Sequence, residues 1–215
     1  MSKSPVNDVE PVATIWLLDG RVVSDQQLLP CLTWLGPSEI QRYQRFLRPQ
    51  RQRQFLLGRI LLRSLLGQAL NLPPSAISLL ERSEQAPALL GMETTPYFSL
   101  SHSGDWIACA LTIQTPVGLD IEMLNPQRDF LALSEQALDD DDTALIAKLQ
   151  GDARVKMFYE CWSRKEALYK LASTDASAPD QHCINLSHPE ISVVLCSASP
   201  LVSLPELKSF KWPAI

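Results

Sequence analysis

Val117-Gly118-Leu119-Asp120-Ile121-Glu122 places two carboxylates two residues apart inside an otherwise apolar run. Successive side chains of a β-strand alternate faces, so Leu119 and Ile121 point into a core while Asp120 and Glu122 share the other face. At roughly 7 Å and an effective dielectric near 20, two like charges repel by on the order of 2 kcal/mol. Such a pair on a buried-edge strand wants a cation, and a divalent metal is the obvious candidate. A lone Asp-x-Glu is also what a solvated strand end looks like, so the weight falls on its neighbours.

Upstream, Tyr97-Phe98-Ser99-Leu100-Ser101-His102-Ser103 carries alternating apolar side chains into a Ser-His-Ser turn, and Gly104-Asp105 connects it to a strand from Trp106 to Ile113. Residues 12 to 18 read as a first strand, Asp25 to Trp34 as a short helical segment, and Gly36-Pro37-Ser38-Glu39 opens a helix running to about Leu47. From Pro49 to about Leu70, Phe55, Leu56, Ile60, Leu61, Leu65, Leu66 and Ala69 recur at helical spacing. Ala76 to Leu80 suggests a short strand and Glu81 to Pro96 a loop. Downstream, a helix is expected from Ser134, helical periodicity continues over Ala144 to Leu149, and residues 152 to 172 form a strong helix. Ser173 to His182 reads as a small-residue loop, and late strands are expected at Ile191 to Cys196 and Leu201 to Leu204.

The 215 residues, 46% of them hydrophobic, suffice for one sizeable domain or two small ones on a shared core. No long uncharged apolar run and no signal-like N-terminus is present, so a soluble, cytoplasmic chain is expected. The five cysteines are scattered and never form C-x-x-C, which predicts reduced thiols rather than a disulfide framework or a zinc site. A net charge of −5 argues against general nucleic-acid affinity. Charge is unevenly spread, however: Arg42, Arg45, Arg48, Arg51, Arg53, Arg59 and Arg63 lie in a stretch with no acid. That asymmetry fits an anionic ligand or partner, or a solvated helix face. Arg59 and Arg63, four apart, could hold one anion together.

Trp162, Glu166 and Lys170 form one stripe of the late helix, with Lys165 about a quarter-turn away. Glu166 and Lys170 also fit a plain surface ion pair. No G-x-S-x-G elbow surrounds Ser101-His102-Ser103, so a phosphate-binding turn suits it better than a nucleophile and base. The acid block Asp139 to Asp142 reads as solvated.

Together, Phe98-Ser-Leu-Ser-His-Ser103, Gly118-Leu-Asp-Ile-Glu122 and Phe158-Tyr-Glu-Cys-Trp-Ser-Arg-Lys-Glu-Ala-Leu-Tyr-Lys170, with an upstream Gly58-Arg-Ile-Leu-Leu-Arg63 helix, resemble the 4′-phosphopantetheinyl transferase superfamily. The resemblance is to its monomeric, surfactin-synthetase-activator-like type and spans roughly residues 40 to 172. It implies an α/β (α+β) fold of two similar halves related by pseudo-twofold symmetry, residues 1–115 and 116–215, with the site between them and the metal-binding acids in the second. The implied activity moves phosphopantetheine from coenzyme A to a serine of an apo acyl or peptidyl carrier protein, releasing adenosine 3′,5′-bisphosphate. No nucleic acid or membrane is implied.

By the same resemblance Asp120, Glu122 and Glu166 would bind Mg²⁺, and hard carboxylate oxygens with phosphate suit that ion. Ser101 and His102 would contact coenzyme A, with His102 and Lys170 near its phosphates and Lys165 neutralising the pyrophosphate. Arg42, and Arg59 or Arg63, would be further phosphate contacts. Glu166, or a metal-bound water near it, would take the serine proton, making Glu166 and Lys170 the catalytic pair. Two departures stand out: Gln85-Ala86-Pro87 replaces the family's Gly-Lys-Pro segment near the adenine, and Ser99 replaces a common asparagine. The chain from Ser173 onward offers no motif that the resemblance can use. Arg45, Arg48 and Arg51 could help attract an acidic carrier. A catalytically idle coenzyme A-binding scaffold and a metal-dependent nuclease are the rival readings.

Overall fold

The computed structural model describes residues 13–83, 85–92, 95–174 and 181–212. The first part of the chain runs β1 (Ala13–Asp19), α1 (Asp25–Leu28), α2 (Pro37–Arg45), α3 (Pro49–Leu70), β2 (Leu79–Leu80), β3 (Ala88–Leu89), β4 (Tyr97–Ser103) and β5 (Trp106–Thr112). The second runs β6 (Val117–Met123), α4 (Phe130–Ala137), α5 (Asp140–Lys148), α6 (Gly151–Ala172), β7 (His182–Leu186), β8 (Ile191–Ser197) and β9 (Glu206–Ser209). The mixture of α and β is the fold class expected. Among the described residues no helix is long and apolar enough to cross a membrane.

Local chemistry explains most of the boundaries. Pro49 opens α3, and Asn71 ends it in the left-handed region at φ 53°. Ser134 does not begin a helix. It lies inside α4, where its hydroxyl donates to Phe130 O at 2.8 Å, and Asp129 caps that helix instead. Nor is the acid block merely solvated: Asp139 Oδ1 accepts from Asp142 N–H at 2.8 Å to start α5, and Asp142 pairs with Arg164 at 2.6 Å.

The elements stack in four layers. One large sheet has the order β4-β5-β1-β9, with β9 parallel to β1, and a second has the antiparallel order β6-β8-β7; β2 and β3 form a separate two-stranded antiparallel ribbon. Alternation along β1 and β5 sends Ala13, Ile15, Leu17, Ala108 and Ala110 against Leu119, Ile121, Val193 and Leu195 of the second sheet. Leu18, Ile107 and Cys109 meet α3 on the opposite face through Leu57, Ile60 and Leu61. On the outer side of the second sheet, Val194 and Cys196 pack on Ala167 and Leu171 of α6. Leu119 and Ile121 thus enter the core as their alternation predicts.

Two expectations change here. The late strand lies at Glu206–Ser209, not at Leu201 to Leu204, and β7 begins at His182, where the expected loop ends, and fills residues to which no element was assigned. β7 sets Cys183 directly opposite Cys196 on β8, and the two are joined by a disulfide. The expectation of uniformly reduced thiols therefore fails for this pair, because the strand that aligns it left no clear apolar pattern. Cys31, Cys109 and Cys161 are free and buried.

Gly118 marks where α6 crosses β6. A Cβ there would lie 1.9 Å from Ala167 O and 2.7 Å from Leu171 N, so only a residue without a side chain permits the contact. Gly118→Ala is expected to lower the unfolding free energy by about 1–3 kcal/mol, seen as a lower urea midpoint with an unchanged slope.

Candidate active site

β4 and β6 are the facing edges of the two sheets, and serine side chains join them. The backbone N–H groups of Leu119, Ile121 and Met123 donate to Ser99 Oγ (2.9 Å), Ser101 Oγ (3.2 Å) and Ser103 Oγ (3.0 Å). Two of these hydroxyls pass their own protons to the acids of β6: Ser101 Oγ donates to Asp120 Oδ1 at 2.9 Å, and Ser103 Oγ to Glu122 Oε2 at 2.7 Å. Ser101-His102-Ser103 is thus the end of a strand rather than a turn.

Lys170 reaches the same place from α6. Its ammonium donates to Asp120 Oδ1 at 2.8 Å, Ser101 Oγ at 3.0 Å and Leu119 O at 3.0 Å, so its partner is Asp120 and not Glu166. Asp120 is 4% exposed, and its Oδ2 is buried with no hydrogen-bond partner among the described residues. Burial raises the Glu122 carboxyl pKa, the Ser103 bond lowers it, and the charge of Asp120 raises it further.

Lys170 and Ser101 also line a cavity of about 370 Å³, together with His102, Arg42, Arg59 and Arg51. Gln85, Ala86 and Pro87 form part of its wall, held where Arg82 Nε donates to Ala86 O at 2.8 Å. Arg51 Nη1 donates to His102 Nε2 at 3.0 Å, which leaves the ring proton on Nδ1. His102 keeps a solvent-accessible edge, yet burial of the ring and the charges of Arg51 and Lys170 bring its pKa down from 6.5 to about 4. A second cavity, about 460 Å³, lies between α6 and the β7–β8 hairpin; Glu160 of the α6 motif lines it, but none of the predicted site residues does.

The arginines divide by environment. Arg59 and Arg63 do hold one anion together, but it is the chain's own Glu39. Arg63, 1% exposed, makes two bonds to that carboxylate at 2.9 and 2.5 Å, and Arg59 Nε lies 3.4 Å from it. Arg59 is also bound to Glu81 at 2.8 Å, and Arg42 to the same carboxylate at 2.6 Å. Arg63 is therefore structural and lies outside the cavity. Arg42 and Arg59 line the cavity with much of their charge already answered. Arg51 does so without an acidic partner among the described residues.

The remaining acids and lysine are dispersed. Glu166 sits one turn before Lys170, half-buried, with no hydrogen bond or ion pair among the described residues. Lys165 donates to Ala137 O at the end of α4. Among the described residues no three His, Cys, Asp or Glu side chains converge closely enough to hold a metal. The Asp120–Glu122 pair nevertheless fits Mg²⁺, which takes one or two carboxylates and completes its shell with phosphate and water. The unpartnered Asp120 Oδ2 is the kind of oxygen such an ion would meet.

Two family profiles match the chain: "4′-phosphopantetheinyl transferase superfamily" over residues 116–205 and "4′-phosphopantetheinyl transferase, N-terminal" over residues 23–114. The chain is 30% identical over 163 residues to 4′-phosphopantetheinyl transferase AcpT of Escherichia coli O157:H7, covering 71% of this chain and 78% of that protein. It belongs to the 4′-phosphopantetheinyl transferase superfamily. It is also similar to 4′-phosphopantetheinyl transferase HetI of Nostoc sp., with 32% identity over 156 residues, 70% of this chain and 65% of HetI. With 4′-phosphopantetheinyl transferase Sfp of Bacillus subtilis the identity is 26% over 159 residues, 74% of this chain and 69% of Sfp. The match spans just under two thirds of the length of two relatives, 64% and 65%.

Within this superfamily member, sequence reasoning overlooked Arg51 as a cavity residue and Ser99 and Ser103 as structural hydroxyls. The signal for the serines was the Ser-x-Ser-x-Ser period of β4, which only the partner strand makes meaningful, and Arg51 was one of seven arginines in an acid-free stretch. Two measurements separate the arginine roles. Glu39→Ala leaves Arg63 charged and unpaired in the core and is expected to cost about 3–5 kcal/mol in chemical denaturation. By ¹H–¹⁵N NMR, the His102 midpoint should fall well below 6.5, and a phosphate ligand should raise it. The unfolded chain takes up this proton near 6.5 and the folded one only near 4, so His102 withdraws stability as pH falls between these values.

Proposed function

We propose that this chain transfers 4′-phosphopantetheine from coenzyme A to a serine hydroxyl of an apo acyl or peptidyl carrier protein, with Mg²⁺ on Asp120 and Glu122. The observation that carries the reading is the acid pair of β6, with one unpartnered oxygen, joined through Lys170 and Ser101 to a cavity rich in cations. The site takes both an ion and a polyanion.

The serine oxygen forms a bond to the β-phosphorus of the pyrophosphate, and the bond to the adenosine 3′,5′-bisphosphate oxygen breaks. Bound Mg²⁺ supplies charge neutralisation at that pyrophosphate. Lys170, His102 and Arg51 hold phosphate oxygens, while Arg42 and Arg59 border them. Lys165, exposed and tethered among the described residues only to a backbone carbonyl, swings to the pyrophosphate when it binds. Glu166, carrying no side-chain partner among the described residues, accepts the serine proton as it leaves. Positioning and charge stabilisation account for most of the acceleration in such transfers.

Arg45, Arg48 and Leu47 form an exposed corner between α2 and α3, beside cavity residues Phe46 and Arg51, and Leu47 is 96% exposed. This corner offers an acidic carrier both charge and an apolar contact.

Intact-mass analysis after incubation with coenzyme A, Mg²⁺ and apo carrier is expected to show the phosphopantetheine adduct, formed more slowly as salt rises. Glu166→Gln should abolish transfer and leave coenzyme A binding in place. If that variant also loses divalent-ion affinity, Glu166 is a ligand as well as the base. Coenzyme A binding without an adduct on any carrier would favour the idle scaffold, and nicked nucleic acid the nuclease.

A further inference from the structure

We infer that Ser103 is a positioning residue for the ion site: its hydroxyl fixes one oxygen of Glu122 so that the other is presented to the divalent cation. The inference rests on the reading of Asp120 and Glu122 as the pair that holds this ion.

The three hydroxyls of β4 make the same backbone contact and differ in where their protons go. Each accepts one N–H from β6, at 2.9, 3.2 and 3.0 Å for Ser99, Ser101 and Ser103. Ser101 and Ser103 then donate to a carboxylate, whereas Ser99 donates to none among the described residues. A hydroxyl whose lone pair is committed to a fixed N–H has few remaining orientations for its proton. The proton of Ser103 is aimed at Glu122 Oε2, 2.7 Å away. An O–H donor to an ionised acid is the stronger, shorter class of hydrogen bond.

The result is a division of oxygens. Asp120 Oδ1 takes both Ser101 and Lys170, and Oδ2 takes nothing. Glu122 Oε2 takes Ser103, and Oε1 makes no hydrogen bond among the described residues. Two carboxylates on one strand face therefore each offer a single free oxygen. Glutamate has one more rotatable bond than aspartate, and among the described residues no lysine is bonded to Glu122, so it depends more on its serine. Groups that orient a ligand from behind commonly change metal affinity by about 10–100-fold when removed.

The test titrates Mn²⁺ into the full chain and follows free ion by electron paramagnetic resonance, with thermal unfolding measured on the same samples. Ser103→Ala is expected to weaken Mn²⁺ binding about tenfold. Ser99→Ala removes the equivalent backbone contact and should lower the melting temperature comparably while Mn²⁺ affinity stays within about twofold of the wild type. Ser103→Thr keeps the hydroxyl and should keep the affinity. Equal affinity in the wild type and the alanine variant overturns the inference. So does equal weakening by Ser99→Ala, or a folded threonine variant as weak as alanine. A wild-type chain that binds no Mn²⁺ overturns the reading of the acid pair itself, an outcome distinct from these.

Discussion

A strand has two hydrogen-bonding edges, and each must be satisfied wherever water cannot reach. β6 gives one edge to β8, and its other edge faces β4 at the junction of the two sheets. Hydroxyls close that edge in place of backbone carbonyls. Serine suits the task as a small side chain that accepts and donates at once. Replacing the three with aliphatic residues would strand amides of β6 at the seam, each costing about 1–3 kcal/mol. The sandwich, the placement of α6 and the attitude of the acids all depend on this closure.

The same structure shows two ways of managing buried charge. Glu39 and Arg63 answer each other's charge through two hydrogen bonds and lie at 0% and 1% exposure, where they organise α2 against α3 away from the cavity. Asp120 and Lys170 are answered incompletely, with one carboxylate oxygen buried and unused. The pair sealed in the core supports architecture, and the pair at the cavity, with a carboxylate oxygen to spare, leaves room for chemistry. Arg51 belongs to the second class, since it meets a neutral imidazole and an amide rather than an acid.

Much of this was legible in the sequence. The limits of α3, β4 and β6 follow from proline, helical period and strand alternation, and the motif residues Ser101, His102, Asp120 and Lys170 do meet. The features that stayed hidden depended on partners far along the chain. Arg63 looked available because Glu39 is 24 positions away, and Arg59 because Glu81 stands in what read as a featureless loop. β7 was missed because it lacks apolar alternation, and with it the Cys183–Cys196 bond. The serine period of β4 was visible, but hydroxyls every second residue have no meaning until an unpaired edge lies beside them.

The parallel pairing of β9 with β1 has a consequence for dividing the molecule. The two matched regions meet near residue 115 and look like separable modules, yet residues 206–209 form the outer strand of the sheet that residues 13–112 build. Phe210 extends that closure by stacking on Trp16 at 5.1 Å. A fragment cut at the boundary would expose the edge of β1 and the indole of Trp16, surfaces that invite strand-to-strand aggregation. The working unit is thus a chain whose late residues clasp its first strand, and split reporters or fusions would have to respect that clasp.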